Sequence, residues 1–139
     1  MKDLLEDISN LDYGSTGPNL KINDIYEASE ILCSQNRPKI PQEVILFLTS
    51  YNGLRTENGI IWGIDIKNHS FYDIVAENLV LNNPNPNNLL ILGEDDNKYL
   101  AYNQQKQKYA LISNQDYDEL FTSKSFANLA RQILKIAHI

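Results

Sequence analysis

Residues 88–113, with the sequence NLLILGEDDNKYLAYNQQKQKYALIS, constrain the fold of this chain more than any other segment. Three runs of apolar and aromatic residues are separated by two short polar segments, GEDDNK and NQQKQ, which are typical of turns. Turns this short join only antiparallel neighbours, because parallel strands need a long crossover connection. The segment therefore predicts a three-stranded antiparallel meander.

Helical patterns precede this meander. Apolar residues from Leu4 to Leu11 recur at the spacing of a helix that buries one side. A second helix is predicted after Asn23 or Asp24, either of which can cap it, and it should stop near Gln35. A third should start at Pro41, since proline suits the first helical turn.

The stretch YNGLRTENGIIWGID, residues 51–65, contains two Asn-Gly pairs. The first pair, Asn52 and Gly53, is predicted to end the third helix, because a left-handed residue commonly follows a helix. The second pair precedes IIWGID, which is β-branched and aromatic and therefore strand-like, and LRTE should connect the helix to this strand. Trp62 is predicted to anchor the core or its rim, and Gly63 to mark a bulge or a close backbone approach.

The rest of the chain completes an α+β pattern. Residues 71–83 predict a short strand or turn and then a helix, and NNPNPNN (82–88) predicts an exposed loop. A closing helix, capped by Ser123 or Ser125, should cover the sheet. We therefore expect a single α+β domain at residues 1–139, with a mostly antiparallel sheet packed against N-terminal helices and a C-terminal helix.

Composition narrows the functional classes. The 42% hydrophobic and 22% charged residues are those of an ordinary globular protein, and no apolar run approaches the roughly 18 residues that a membrane span requires. The start of the chain has acids among its leucines, unlike a signal peptide, so we expect a cytoplasmic location. The net charge of −6 argues against nucleic-acid binding and permits a basic protein partner.

Few residues are candidates for catalysis or metal binding. The single cysteine, Cys33, fits a reducing compartment and is predicted to be a small core residue. His69 lies in a polar turn and His138 is the penultimate residue, so neither is a good metal ligand or general base. The phosphate-binding, nucleophile-elbow and zinc-helix motifs do not occur in the sequence. We therefore expect no catalytic residues, no metal and no cofactor.

The acidic cluster Glu94, Asp95 and Asp96 allows three interpretations. It can be the solvated turn of a hairpin, a contact for a basic partner, or the carboxylates of a small hydrolase or a cation site. The turn is the preferred interpretation, and the hydrolase would require at least two carboxylates in a pocket. Among the meander tyrosines, Tyr99 and Tyr109 are predicted to be core or rim residues on one face, and recognition through hydroxyls at the rim is the alternative.

The order of these signals resembles the SUKH superfamily, the Smi/Knr-like proteins. In that family a proline opens a helix that ends at Asn-Gly, and a strand with an aromatic residue and glycine follows, as in residues 41–53 and 61–64 here. LLILGEDDN, YLAYN, KYALI and the helix from Ser125-Phe126 match further, and the first forty residues look most like the YrhA-type bacterial branch. The Asn-Pro-Asn-Pro segment departs from many members. The family positions fall on residues that the resemblance marks as fold-defining: Pro41, Asn52, Gly53, Trp62, Gly63 and Gly93.

The resemblance implies a non-enzymatic protein-binding function. Many bacterial members are immunity proteins that bind and block a cognate toxin domain, while others are regulatory or scaffold proteins, and the superfamily shares no catalytic residues. We therefore expect an immunity protein that binds a toxin domain, and a regulator or scaffold of the same fold is the alternative. The predicted partner contacts are Glu94, Asp95, Asp96, Arg55 and Glu57.

Overall fold

Five helices and six strands follow one another in the computed structural model, which describes residues 1–11, 14–69 and 72–136. The arrangement confirms the predicted α+β class with an antiparallel sheet. None of the helices in these described ranges is long and apolar enough to cross a membrane. In chain order the elements are α1 (Lys2–Ser9), α2 (Ile22–Ser34), α3 (Gln42–Ser50), β1 (Leu54–Arg55), β2 (Ile60–Ile61), α4 (Ile74–Val80), β3 (Leu89–Glu94), β4 (Lys98–Asn103), β5 (Lys108–Ser113), β6 (Glu119–Ser123) and α5 (Phe126–Leu134).

The strands form one sheet in the order β1-β2-β3-β4-β5-β6, and each pairs antiparallel with the next. The predicted meander is therefore confirmed as β3, β4 and β5, which have six residues each. Strand β6 extends it by one strand that was not predicted, and four of its five residues are exposed. The other end of the sheet consists of the two-residue strands β1 and β2.

Helices α3 and α5 cover one face of this sheet. Tyr109 of β5 pairs across the strands with Tyr102 of β4, so both side chains lie on the same face. The ring of Phe126 in α5 lies 5.7 Å from that of Tyr109 and 5.6 Å from that of Phe47 in α3. Ser125 caps α5 as predicted, since its hydroxyl accepts a hydrogen bond from the Asn128 N–H. The face that carries Tyr109 is thus the core face.

Three details predicted for residues 21–57 were wrong: the N-cap of α2, the burial of Cys33 and the role of LRTE. Helix α2 begins at Ile22, and the Asp24 carboxylate reaches back to accept the Lys21 N–H at 3.0 Å, so neither Asn23 nor Asp24 is the N-cap residue. Cys33 is exposed, because the buried side of α2 contains Ile25, Ala28 and Leu32, and Cys33 is rotated about 100° from Leu32. LRTE is not a simple connection, since Leu54 and Arg55 form β1 and pair with β2.

The third helix ends earlier than the Asn-Gly pair suggested. Helix α3 stops at Ser50, and Tyr51 has an extended backbone. Gly53 does have the predicted positive φ, +75°, but its position serves a backbone crossing. A Cβ atom on Gly53 would lie 2.8 Å from the Gly63 nitrogen, and one on Gly63 would lie 2.6 Å from the Asn52 carbonyl oxygen. Glycine at 53 and 63 therefore lets two chain segments touch, as expected for Gly63.

Buried asparagine amides hold this crossing together. The Asn52 Oδ1 accepts the Ile64 N–H at 2.7 Å, and its Nδ2 donates to the Ile64 carbonyl at 2.9 Å and to the Pro18 carbonyl at 2.7 Å. Asn78 in α4 does the same at β3, where its amide accepts the Ile91 N–H and donates to the Ile91 carbonyl, both at 2.8 Å. Each side chain satisfies the N–H and C=O of one residue, as a neighbouring strand would.

Strand β3 contains a bulge. Ile91 pairs with Ala101, and the next pair is Gly93 with Leu100, so Leu92 is an extra residue. After the bulge, Glu94 lies opposite Tyr99. The residues after β3 make the short turn to β4 that the sequence predicted.

Candidate protein-binding surface

Tyr99 lies on the sheet face opposite α5. It is three residues from Tyr102 on β4, so the two side chains point to opposite faces, and Tyr102 shares the core face with Tyr109. The prediction that Tyr99 and Tyr109 lie on one face was therefore wrong. Tyr109 is buried under α5, whereas Tyr99 is half-buried next to Glu94.

The buried side chain of Trp62 packs against Tyr99. Its backbone N–H continues the β2 pairing by donating to the Leu92 carbonyl at 2.8 Å, and its side chain is only 1% exposed. The ring of Tyr72 stacks on it at 6.5 Å, and Tyr99 meets it edge-on at 6.3 Å. The prediction that Trp62 anchors the core is confirmed, and it also supports two tyrosines that reach the surface.

The β5–β6 connection adds a third tyrosine. Tyr117 lies 5.7 Å from Tyr99 between ring centres, and its hydroxyl group is close enough to influence the pKa of the Tyr99 hydroxyl. Helix α4 contributes Glu77, whose charge acts on Tyr72, Glu94 and Tyr99. We call the resulting group the tyrosine–carboxylate surface, and it comprises Tyr72, Glu77, Glu94, Tyr99 and Tyr117.

Burial and like charges change the acidity of this surface. The pKa of Glu94 is raised above its ordinary value by burial and then by the charges of Glu77 and Asp95. Burial is also the largest cause of the raised pKa values of Tyr72, Tyr99 and Tyr117, so these hydroxyls remain protonated donors at neutral pH. No ion pair involves Glu77 or Glu94 within the described residues. The surface thus offers partly dehydrated carboxylates and hydroxyls, which suit a cationic group.

The three residues of the predicted acidic cluster, Glu94, Asp95 and Asp96, lie in different environments. Glu94 belongs to the surface, but the Asp95 side chain is only 3% exposed and accepts the Asn97 and Lys98 N–H groups at 3.0 and 2.9 Å. The Asp95 carboxylate also lies 3.3 Å from the Lys98 ammonium group. Asp96 is exposed. Asp95 and Asp96 therefore do not form the facing pair in a cleft that the hydrolase interpretation requires.

The β1–β2 hairpin lies beside the surface. Arg55 is exposed on β1, and its charge partly offsets the rise in the pKa of Tyr72, so the guanidinium lies within electrostatic range of that hydroxyl. The Arg55 backbone also pairs with Ser15. Glu57 is exposed in the hairpin turn. Of the five predicted contacts, Glu94 and Arg55 are thus linked to Tyr72, while Asp95 serves its own turn.

Other titratable groups have structural roles. His69 Nδ1 lies 3.2 Å from the Asp73 carboxylate, which also caps α4 by accepting the Ala76 N–H at 2.9 Å. His138 lies outside the described residues. The described part of the chain contains no cluster of His, Cys, Asp or Glu that is suited to a metal ion.

Sequence reasoning missed Tyr72, Tyr117 and Glu77. Tyr72 and Tyr117 lie in connections and have left-handed backbones, with φ values of +65° and +63°. The period of a strand or helix says nothing about such positions. The spacing of Ile74 and Leu81 did predict a helix that contains Glu77, but not which way its charged side faces.

Comparisons with known proteins gave no match. No protein-family model matches the chain, and no curated protein or solved structure is significantly similar to it.

Proposed function

We propose that this chain is a non-enzymatic protein-binding module and that the tyrosine–carboxylate surface binds a basic protein. The observation that carries the proposal is the grouping of three half-buried tyrosines with a carboxylate whose pKa is raised, outside the helix-covered face of the sheet. Tyrosine supplies large contact area at a low cost in conformational entropy, and it is enriched where interfaces concentrate their binding energy.

The charge of the surface indicates the chemistry of the partner. Glu94 and Glu77 repel each other, and burial further penalises the ionised form of Glu94. A lysine or arginine from a partner would relieve both effects and could also contact the faces of the tyrosine rings. The net charge of −6 would attract such a partner from a distance.

Backbone strain supports the same assignment. Left-handed backbones are uncommon for bulky residues other than glycine, yet Tyr72 and Tyr117 both have them. Strained residues tend to cluster at functional sites, because the strain is retained where a side chain must be aimed. Two of the three tyrosines on this surface are held in this way, which favours recognition over simple packing.

The sequence resemblance refines the type of partner. Because residues 41–53 and 61–64 resemble the SUKH signature, the module is proposed to be an immunity protein that blocks a cognate toxin domain. The tyrosine–carboxylate surface would then cover basic residues at the active site of the toxin. A regulator or scaffold of the same fold would use the same surface for a cellular protein.

Protection from a toxin tests this proposal directly. The chain is co-expressed with the product of a neighbouring toxin gene, growth is followed, and the affinity of the purified pair is measured by calorimetry. Tyr99→Ala combined with Glu94→Gln should reduce affinity by about 100-fold, since central tyrosines and charged contacts each contribute roughly 1–2 kcal/mol or more. The control Gln105→Ala changes the exposed β4–β5 turn and should protect fully.

The results of this experiment distinguish an error in the proposed binding surface from an error in the proposed immunity function. A partner that binds the double variant as tightly as the native chain would show that the surface is wrong while the binding function stands. If the chain protects against no neighbouring toxin and copurifies with no protein from its native host, the immunity function is contradicted. A partner without toxic activity would support the regulator or scaffold.

A further inference from the structure

We infer that the chain has a second binding site, a phosphate-binding cleft at the opposite end of the meander from the tyrosine–carboxylate surface. A cavity of about 650 Å³ lies between the α2–α3 connection, the loop before β3 and the β4–β5 turn. We call it the Arg37 cleft. It is lined by Cys33, Asn36, Arg37, Lys39, Tyr102 and Gln104, together with Pro41, Asn87 and Gln107.

The charge of the Arg37 cleft is opposite to that of the whole molecule. Its lining contains two cations, Arg37 and Lys39, and no acidic residue. Among the described residues, neither cation takes part in an ion pair. In a chain with a net charge of −6, two cations in one cavity without an acidic neighbour in its wall are suited to an anion from outside.

Arg37 has a hydrogen-bond donor left over for that anion. Its Nη1 donates to the Gln35 carbonyl at 2.8 Å, which fixes the guanidinium group. Its Nε is buried and has no hydrogen-bond partner among the described residues. Buried donors are almost always satisfied, so the guanidinium group has donor capacity that the described residues do not use, and an oxyanion in the cleft that Arg37 lines would supply acceptors to this group.

Side-chain amides indicate a phosphate group. Asn36, Asn87, Gln104 and Gln107 line the cleft from three separate segments, and Gln104 is held to the loop by its N–H bond to the Asn88 carbonyl at 2.8 Å. A carboxylate has two oxygens in one plane, whereas a phosphate presents three oxygens to donors that converge from several directions. The cleft therefore suits a phosphate or a small phosphomonoester.

Calorimetric titration of the full chain with inorganic phosphate at pH 7 tests this inference. We expect saturable binding at one site. Arg37→Gln should weaken it by about tenfold, and Arg37→Lys should have an intermediate effect because it keeps the charge but loses the guanidinium fork. Lys67→Gln removes an exposed charge outside the cleft and should leave phosphate affinity unchanged.

The lone cysteine gives an independent measurement, because Cys33 lines the cleft and is the only thiol. Phosphate should slow the alkylation of Cys33 by the neutral reagent N-ethylmaleimide, compared with sodium chloride at equal ionic strength, and Arg37→Gln should abolish this protection. Absence of saturable binding, or equal affinity in the native chain and Arg37→Gln, would overturn the inference. The tyrosine–carboxylate surface would not be affected by either result.

Discussion

The two parts of the sheet differ in how much of their hydrogen bonding comes from backbone pairing and how much from side chains. In the meander, β3 to β5 pair through backbone groups along six residues each. At the other end, β1 and β2 have two residues each, and two buried amides add to the pairing: Asn52 bonds to the backbone of Ile64, which follows β2, and Asn78 bonds to the backbone of Ile91 in β3. Backbone pairing tolerates many side chains. The buried side chains of Asn52 and Asn78, which we call the amide clamps, each depend on the identity of one residue.

This difference also locates the tyrosine–carboxylate surface. Glu94 and Tyr99 come from the meander, while Tyr72 and its support Trp62 come from the part that the amides hold. The surface therefore spans the junction of the two parts. Substitutions that loosen the clamped part should move Tyr72 relative to Tyr99 before they disturb the meander.

The amide clamps should give the largest effects on stability. Asn52→Ala and Asn78→Ala each leave a buried N–H and a buried C=O without partners, and each such group costs roughly 1–3 kcal/mol. We expect each variant to lose about 3 kcal/mol or more of unfolding free energy in urea titrations. Asn83→Ala, which removes two half-buried bonds, one to the Leu89 carbonyl and one from the Asn85 N–H, is the control and should lose about 1–2 kcal/mol. Equal losses in all three variants would show that the two parts do not differ.

Gly63→Ala should give the next largest loss of stability. The added Cβ would lie 2.6 Å from both the carbonyl oxygen and the Oδ1 of Asn52, so the clamp must shift. Overpacking of this kind costs about 1–3 kcal/mol, and we expect the melting temperature to fall accordingly. Ser113→Ala at the end of β5 adds no atoms and removes only an exposed bond from the Gln115 N–H, so it should melt close to the native chain. A Gly63→Ala variant that is as stable as the native chain would contradict the close approach.

A smaller effect is expected at the junction itself. Tyr99→Phe keeps the ring against Trp62 but removes the hydroxyl that interacts with that of Tyr117, and it should cost about 0.5–1.5 kcal/mol. Tyr102→Phe on the core face is the matched control. Chemical denaturation of both variants measures the difference, and an equal loss of unfolding free energy would argue against a stabilising interaction between the Tyr99 and Tyr117 hydroxyls.

The smallest effect should depend on pH. The pKa of Glu94 is raised in the folded state, so at this group the native state binds more protons than the unfolded state. The contribution of Glu94 to the free energy of unfolding therefore falls as pH rises above about 4.5. Glu94→Gln removes this penalty and should raise the melting temperature at pH 7, with little change near pH 3.5. Glu57→Gln in the exposed hairpin turn is the control. If Glu94→Gln instead lowers stability at pH 7, then Glu94 has a favourable partner in the folded chain.

The sequence predicted those elements whose side chains repeat with a period. Alternating runs and short turns identified the meander, and the 3–4 spacing of Phe126, Leu129 and Ile133 identified α5. Strand β6 was missed because almost all of it is exposed, so it has no apolar alternation, and β1 is too short to show any.

The clamps and most of the candidate surface had no sequence signal. Asn52 appeared in a turn-like pair and Asn78 in a helical run, and asparagine at either place is ordinarily exposed. Glu94 was predicted as a contact because acidic residues cluster there. Its neighbours Tyr72 and Tyr117 are brought to it by turns with positive φ, which no periodic pattern encodes.

The bulge at Leu92 makes the number of residues in β3 as important as their identity. If Leu92 were not an extra residue, the regular register would place Gly93 opposite Tyr99 and Glu94 opposite Lys98. The carboxylate would then face an ammonium group of its own chain and not a tyrosine. An insertion of one residue in β3 that no second bulge absorbs would thus move Glu94 opposite Lys98 without changing any side chain of the site, whereas deletion of Leu92 would keep Glu94 opposite Tyr99 in a regular ladder.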